Sequence, residues 1–353
     1  MEIHFHGYKI KYELLDSYFR IIKQGNQINS ISFFINLDDF FHKLHHPLIN
    51  NEFNVIGQVA PKQLVSNIIN LMGHYKHYAK SRLNCEDIRI YGIYTSYSNT
   101  FKNEMIIPEF RSKFKHNNDY CNLDYYYINT TLKASYSVMN GIMQYIPGIY
   151  LIDSEYIEPS VVPYYLSLTR KSDWNVLISR DIYDLQYVSK PKWTVVSPKG
   201  ENSTIISGNN LWDYIKKKEK INYEEAIHFP IEFYPYVLAM LGDTYRSIPR
   251  LRKIGWKTAF KFMKQVEEDW KRFDSITVIE KLVELLQNKK GVENSEFYDN
   301  YHCIDIEKQQ NRMIDLDRLV IDAQLVDRYD IGALNSANQQ IFLRFPLRLE
   351  FLL

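Results

Sequence analysis

The chain has 353 residues, 45% of them hydrophobic, which is enough for one large domain or two smaller ones with a substantial core. Its 43 basic and 42 acidic residues nearly cancel, which excludes a basic field over the whole molecule as an argument for nucleic-acid binding. The cysteines Cys85, Cys121 and Cys303 form no CxxC pair, which excludes a zinc ribbon and a disulfide framework and is typical of a reducing compartment.

Strands and helices alternate through the first two-thirds of the chain. The pattern predicts strands at 31–37, 88–95, 148–153, 175–181 and 192–198, of which the first is buried. It predicts helices from Pro61 and at 135–146, 161–171 and 211–219, and mostly helix from about 232 onward. Residues 97–130 are a polar and aromatic excursion between the second and third strands. This alternation predicts an α/β fold with a mostly parallel twisted sheet flanked by helices. In such sheets the functional site lies at the carboxyl ends of the strands.

The first residues and the apolar runs of the sequence predict where the protein is found. The first residues lack the charged-then-apolar pattern of a secretion signal, and no apolar run reaches the roughly 18 residues of a membrane span. We therefore expect a protein that is neither secreted nor in a membrane, but cytoplasmic or carried in a virion. Its 28 tyrosines and few glycines are typical of AT-rich genomes, including those of many phages and other viruses.

Carboxylates follow the predicted strands. They are Asp38, Asp39, Asp153, Glu155, Glu158, Asp181 and Asp184, with Asp243 after the apolar stretch 234–241. Carboxylates that converge from separate strand ends bind hard cations such as Mg²⁺, and two such ions can stabilise both oxygens of a phosphodiester under attack. The alternative is that they are solvated loop residues or helix N-caps, where Asp and Glu are common.

Basic residues fill the segment 244–265, which contains no acid. They are Arg246, Arg250, Arg252, Lys253, Lys257, Lys261 and Lys264. Gly255 lets the backbone pass close to a phosphate, and the free N–H groups at the start of the following helix can bind it. The segment therefore predicts a salt-sensitive contact with nucleic acid. The alternatives are a solvated helix face or a surface for an acidic protein partner.

Several segments, in order, resemble motifs of the 5′-nuclease or flap-endonuclease-like (PIN-like) family. Residues 105–115 resemble its P-E-Y-K-x-x-R arch segment, 155–158 lie where it has E-A-D-D, and 178–188 are similar to its S-x-D-x-D-L-x-Q-L. Residues 238–259 resemble the start of its helix–three-turn–helix DNA-binding element, and 311–319 its closing N-x-x-L-I-D-L. The resemblance implies a domain order: an N-terminal extension (1–30), a nuclease-like core (31–235) with an arch-like excursion (97–135), a helical nucleic-acid-binding region (236–320) and an apolar C-terminal segment (321–353).

The resemblance also implies a site. The metal ligands, for Mg²⁺ or Mn²⁺ if the protein is active, would be Asp38, Glu155, Glu158, Asp181, Asp184 and Asp243. The catalytic set among them would be Glu155, Glu158, Asp181 and Asp243. The contacts to nucleic acid would be Arg111, Lys113, Arg250, Arg252, Lys253, Gly255, Lys257, Thr258 and Lys261.

The chain departs from the family pattern at several ligand positions. Acids of the pattern are replaced by Asn36, Thr95, Ile157, Tyr183 and Arg246. A neutral oxygen binds Mg²⁺ far more weakly than a carboxylate, and a cation at position 246 that pointed inward would oppose the charge of a metal.

These replacements favour a protein that has lost full catalysis. We expect a non-catalytic or weakly active component that binds DNA, or RNA, or serves a structural role with protein partners in a viral or phage assembly or replication complex. The alternatives are an active metal-dependent 5′–3′ exonuclease or flap endonuclease with a reduced ligand set, and a protein-interaction module. The apolar C-terminal segment could serve as an anchor for a partner subunit.

Overall fold

A computed structural model describes residues 2–5, 8–11, 28–37, 56–94, 138–139, 141–142, 145–153, 158–197, 204–222, 229–243, 246, 248–270, 275–310 and 335–336. Several predictions lie outside these ranges. They concern Asp38, Thr95, Arg111, Lys113, Glu155, Ile157, the excursion at 97–135, the segment 311–319 and nearly all of the C-terminal segment.

A six-stranded sheet forms the centre of the molecule. After a separate antiparallel hairpin of β1 (Glu2–Phe5) and β2 (Tyr8–Lys11), its strands are β3 (Ser30–Asn36), β4 (Asp87–Tyr94), β5 (Ile149–Asp153), β6 (Trp174–Ile178), β7 (Trp193–Ser197) and β8 (Thr204–Ile206). Their order is β5-β4-β3-β6-β7-β8, and each neighbouring pair is parallel except β7 and β8. The predicted mostly parallel sheet is confirmed.

The central strand β3 is buried from Ile31 to Ile35 and carries apolar side chains toward both faces, because both faces of the sheet are covered. Ile31, Phe33 and Ile35 point to one side, where they pack in a core with α1 (Ile56–Tyr78). Phe34 points to the other side and lies in a second, larger core. Its ring stacks on those of Tyr91 and Trp193, with ring centroids 5.0 and 5.3 Å away.

The remaining helices follow the predicted order. After a π-helical turn (Ala79–Leu83) come α2 (Val162–Thr169), a 3-10 helix (Tyr183–Ser189), α3 (Leu211–Lys218), a second 3-10 helix (Ile231–Phe233), α4 (Tyr234–Leu241), α5 (Trp256–Trp270), α6 (Ser275–Lys290), α7 (Asn294–Ile304) and α8 (Ile306–Gln310). Residues of α2 to α8 share the larger core with the sheet, so the helical region packs directly on the sheet. Within the described ranges, no helix is long and apolar enough to span a membrane.

Two boundaries differ from the prediction in ways that affect the site. Strand β6 ends at Ile178 and not at Asp181, so Asp181 stands in the loop beyond the strand. Helix α1 begins at Ile56, before Pro61. The parallel arrangement brings the carboxyl ends of β3, β4, β5 and β6 to one edge of the sheet, and the loops that carry Glu158 and Asp181 leave from this edge.

Candidate functional site

Three of the predicted ligands converge on one side chain. Glu158 lies in the turn between β5 and α2, Asp181 in the loop after β6, and Asp243 just beyond the end of α4. All three carboxylates bind the guanidinium group of Arg246. We call Glu158, Asp181, Asp243 and Arg246 the arginine cluster.

The guanidinium is held by nearly all of its donors. Its Nε donates to Glu158 Oε1 at 3.0 Å, one terminal nitrogen donates to Asp243 Oδ2 at 2.6 Å, and the other donates to Asp181 Oδ2 at 2.6 Å. This last nitrogen also donates to Ser160 Oγ at 3.0 Å. The flat face of the group lies 4.0 Å from the centre of the Tyr183 ring, a cation–π distance.

Local turns fix the carboxylates in place. Asp181 Oδ1 accepts a hydrogen bond from the backbone N–H of Tyr183 at 2.9 Å, which places the Asp181 side chain at the start of the 3-10 helix. Asp243 follows Gly242, whose φ is +64° and whose hypothetical Cβ would lie 2.5 Å from the backbone of Pro249. Only glycine fits there, and the resulting tight turn lets the backbone of Asp243 pair with that of Ile248.

The charges of the arginine cluster stabilise each other. Arg246 is only 3% exposed. Burial lowers its pKa, but the charges of Asp181, Glu158 and Asp243 outweigh burial and raise the pKa well above its usual value. Burial likewise raises the pKa of Asp181, but the charge and hydrogen bond of Arg246 bring it below its usual value. The guanidinium and the Asp181 carboxylate are therefore both ionised at neutral pH.

Asp184 lies behind the arginine cluster and behaves differently. Its carboxyl group is 1% exposed, and burial, together with the charge of Asp181, raises its pKa to about 7. Arg246, Ser160 and Ser179 lower this pKa but do not restore its ordinary value. Asp184 therefore holds a proton far more tightly than the Asp181 carboxylate does.

The arginine cluster does not fit a divalent ion. The guanidinium fills the point on which the three carboxylates aim, and two cations cannot share that point. In the part of the chain that the structure describes, no group of three or more His, Cys, Asp or Glu side chains is placed to hold a metal ion. Asn36, at the end of β3 where the family pattern has an acid, keeps a buried Oδ1 with no hydrogen-bond partner among these residues.

The basic segment divides into one buried cation and an exposed face. The sequence pattern had grouped Arg246 with its basic neighbours, and this was wrong, because Arg246 is buried in the arginine cluster. The others are exposed and form what we call the basic face: Arg250, Arg252, Lys253, Lys257, Lys261 and Lys264. On the opposite side of α5, Ala259, Phe260, Met263 and Val266 are fully buried, which fixes the outward direction of the cations.

The turn before α5 carries the remaining predicted contacts. Gly255 is half-buried, with open space where a Cβ would stand, and Thr258 is half-buried in the first turn of the helix. Lys253 has a φ of +58°, a left-handed conformation that is unusual for lysine. Sequence reasoning missed Ser160 as a partner of Arg246, and no local pattern marks it.

The fold is that of the flap-endonuclease-like family. It resembles the bacteriophage T5 flap endonuclease with an aspartate replaced by lysine, solved as a pseudo-enzyme–product complex with DNA and metal ions (13% identity, TM-score 0.55, covering 83% of this chain and 97% of that one). It also resembles the bacteriophage T5 protein co-crystallised with metal ions (12%, 0.54, 84% and 96%) and the T5 5′-exonuclease with bound zinc (14%, 0.53, 84% and 99%). At these identities the likeness shows the fold alone. No protein-family model and no curated protein sequence matches the chain.

Proposed function

We propose that this protein binds DNA with a flap-endonuclease-like fold and does not cleave it efficiently. The observation that carries the proposal is the position of Arg246 between Glu158, Asp181 and Asp243. Metal-dependent cleavage needs these carboxylates to hold cations that neutralise the phosphate and activate water. Here the point at which the carboxylates converge is occupied by a side chain that cannot be deprotonated or exchanged.

The basic face supports the binding half of the proposal. Its exposed cations lie within 15 residues of one another in the chain, around the first turns of α5, in a protein whose net charge is only +1. Such a face attracts a phosphate backbone of any sequence, and the free N–H groups at a helix start add directed contacts. A T5 structure of the same fold contains DNA, which favours DNA over an acidic protein as the ligand.

A protein that binds DNA without cutting it needs a role other than catalysis. A DNA-binding protein that does not cut would serve as a structural or assembly component of a viral or phage complex, in the cytoplasm or in the virion. RNA and protein partners fit the same role. Its fold would then act as a shaped scaffold, since one fold supports several functions.

The alternative is an active nuclease with a reduced ligand set. It is favoured by one observation: Glu158, Asp181 and Asp243 still converge, and Asp184 lies beside them. Asp38 and Glu155 could complete such a set, with Mg²⁺ or Mn²⁺ as the ion and Arg111 or Lys113 at the scissile phosphate.

A paired cleavage and binding assay tests the proposal. The purified protein is incubated with flapped and single-stranded DNA in Mg²⁺ and in Mn²⁺, beside Asp181→Ala and Asp243→Ala, and binding of the same DNA is measured at low and high salt. We expect salt-sensitive binding and no cutting above that of the two variants. Cutting that both substitutions abolish would establish the active nuclease instead, and neither binding nor cutting would leave a purely structural role.

A further inference from the structure

We infer that Arg246 is a positioning residue that replaces a divalent cation in the architecture of the site. Its guanidinium joins the loops of the sheet to the turn that begins the basic face, so this face is built and held without metal. The expected effect of Arg246 on DNA binding rests on the proposed function, whereas its expected effect on the stability of the fold does not.

The partners of Arg246 come from three separate stretches of chain. Glu158 and Ser160 lie between β5 and α2, and Asp181 lies beyond β6. Asp243 lies in the same turn as Arg246 itself, three residues earlier. One side chain therefore ties two loops at the carboxyl edge of the sheet to the turn that follows α4.

This turn is continuous with the basic face. Beyond Arg246, Ile248 pairs with Asp243, and the backbone N–H of Leu251 donates to Met240 O at 3.1 Å. The side-chain amide of Asn300 on α7 donates to Ala239 O and to Pro249 O, at 2.9 and 2.7 Å. The turn is thus fixed from the α7 side by the side chain of Asn300 and from the sheet side by Arg246. Loss of Arg246 would release the sheet side.

The geometry also excludes a direct role in binding phosphate. Four hydrogen bonds already join the guanidinium to Glu158, Asp181, Asp243 and Ser160, and its central carbon lies over the ring of Tyr183. An incoming phosphate would have to displace a carboxylate in a buried site. The charge of Arg246 therefore stabilises carboxylates inside the protein, as the charge of a structural metal ion does.

The charges around Arg246 determine how the protein would respond to the loss of this side chain. Three carboxylates face one guanidinium, so the cluster already holds a surplus of negative charge, and removal of the cation leaves close, partly buried carboxylates without a counter-ion. A small divalent cation is the simplest replacement, because carboxylate oxygens are its preferred ligands. The variant should therefore acquire a dependence on metal that the native protein lacks.

The test compares thermal unfolding of the full chain with Arg246→Ala and Arg246→Asp, each in EDTA and in millimolar Mn²⁺. We expect the native midpoint to be the same in both buffers. Both variants should unfold several degrees lower in EDTA and recover in Mn²⁺, with Arg246→Asp recovering more because it adds a fourth carboxylate. Arg252→Ala is the matched control, since it removes an exposed arginine nearby and should change neither midpoint.

DNA binding in EDTA provides the second readout. We expect Arg246→Ala to bind several-fold more weakly than the native protein in EDTA and to approach the native affinity when both are measured in Mn²⁺. A native midpoint that rises in Mn²⁺ as much as that of Arg246→Ala would overturn the inference, as would an Arg246→Ala midpoint equal to the native one. If Arg246→Ala does not fold in EDTA, recovery of folding in Mn²⁺ supports the inference. Failure to fold in both buffers, together with an Arg246→Lys variant whose stability does not respond to Mn²⁺, contradicts it. A native protein that binds no DNA would end the proposed function and leave the unfolding result intact.

Discussion

At the scale of single residues, the protonation of Asp184 makes the stability of the protein depend on pH. Its pKa is raised from 3.8 to about 7 by burial and by Asp181. The folded state therefore holds the proton more tightly than the unfolded chain does. The resulting contribution to the free energy of unfolding is fully present below about pH 4. It is lost as the pH rises through about 7, where Asp184 ionises beside Asp181.

Asp184→Asn removes this titration. The variant and the native protein should be closest in stability at low pH, because an amide resembles a protonated carboxyl group in size. From pH 5 to pH 8 the native protein should lose stability relative to the variant, on the order of 2–3 kcal/mol, because only the native side chain acquires a buried charge. Unfolding midpoints across this pH range give the measurement, and Asp213→Asn, at an exposed position, serves as the control. A constant difference between Asp184→Asn and the native protein at all pH values would contradict the assignment.

The sequence predicted the carboxylates of the site better than its cation. Glu158, Asp181 and Asp243 could be found because each follows a recognisable strand or apolar helix. The direction of Arg246 could not be read from its neighbours, which are basic and exposed. It depends on Ser160 and Tyr183, which are far away in the sequence and meet Arg246 only when the sheet is assembled.

At the scale of secondary-structure elements, the turn before α5 contains a strained backbone at Lys253. Its φ of +58° is a left-handed conformation that costs a side-chain-bearing residue about 1–2 kcal/mol relative to glycine. Lysine at this exposed position is explained by its place on the basic face, where the charge contributes to the proposed binding. The lysine at position 253 therefore favours the proposed binding of DNA but lowers the stability of the turn.

Two substitutions separate these effects. Lys253→Gly should raise the free energy of unfolding by about 1 kcal/mol, because it relieves the left-handed strain. Lys253→Ala keeps the strain and should leave stability near the native value. Both remove the same charge, so both should weaken DNA binding by the same factor. Equal stability of the two variants in denaturant titration would show that the backbone at this position is not strained.

Elements with a strong periodic pattern were predicted, and short or polar ones were missed. The long helices and the strands β3 to β7 carry apolar runs or helical spacing that can be recognised without knowledge of the tertiary structure. Strand β8 has only three residues, two of them half-exposed, and forms because β7 offers it an antiparallel edge. The hairpin of β1 and β2 lay in what the sequence indicated only as an N-terminal extension.

At the scale of the whole molecule, the basic face is a local charge on a nearly neutral protein. The net charge of +1 gives no general attraction for DNA, so binding through this face should carry most of the salt dependence. Each phosphate that a cation neutralises contributes about −0.9 to the slope of log affinity against log salt concentration.

A triple substitution tests whether the face acts as a unit. Replacing Arg252, Lys257 and Lys261 by alanine should reduce the magnitude of the salt slope by about 2.7, if each contacts one phosphate. The matched control replaces Lys80, Arg82 and Lys171, three exposed cations near the amino edge of the sheet, and should leave the slope unchanged. Equal effects of the two triples, measured by fluorescence anisotropy over a salt series, would mean that DNA binds without preference for the basic face.

The strand order has a consequence for how the chain is made. Strand β3 lies at the centre of the sheet between β4 and β6, and its register with β6 pairs Ile31 with Trp174 and Ile35 with Ile178. A ribosome that adds roughly 5–20 residues per second leaves this central strand without its second neighbour for about 7–30 seconds. During synthesis this nascent segment is a natural client for a chaperone, and a chain interrupted before Trp174 would leave β3 as the unprotected edge of a sheet with β4 and β5.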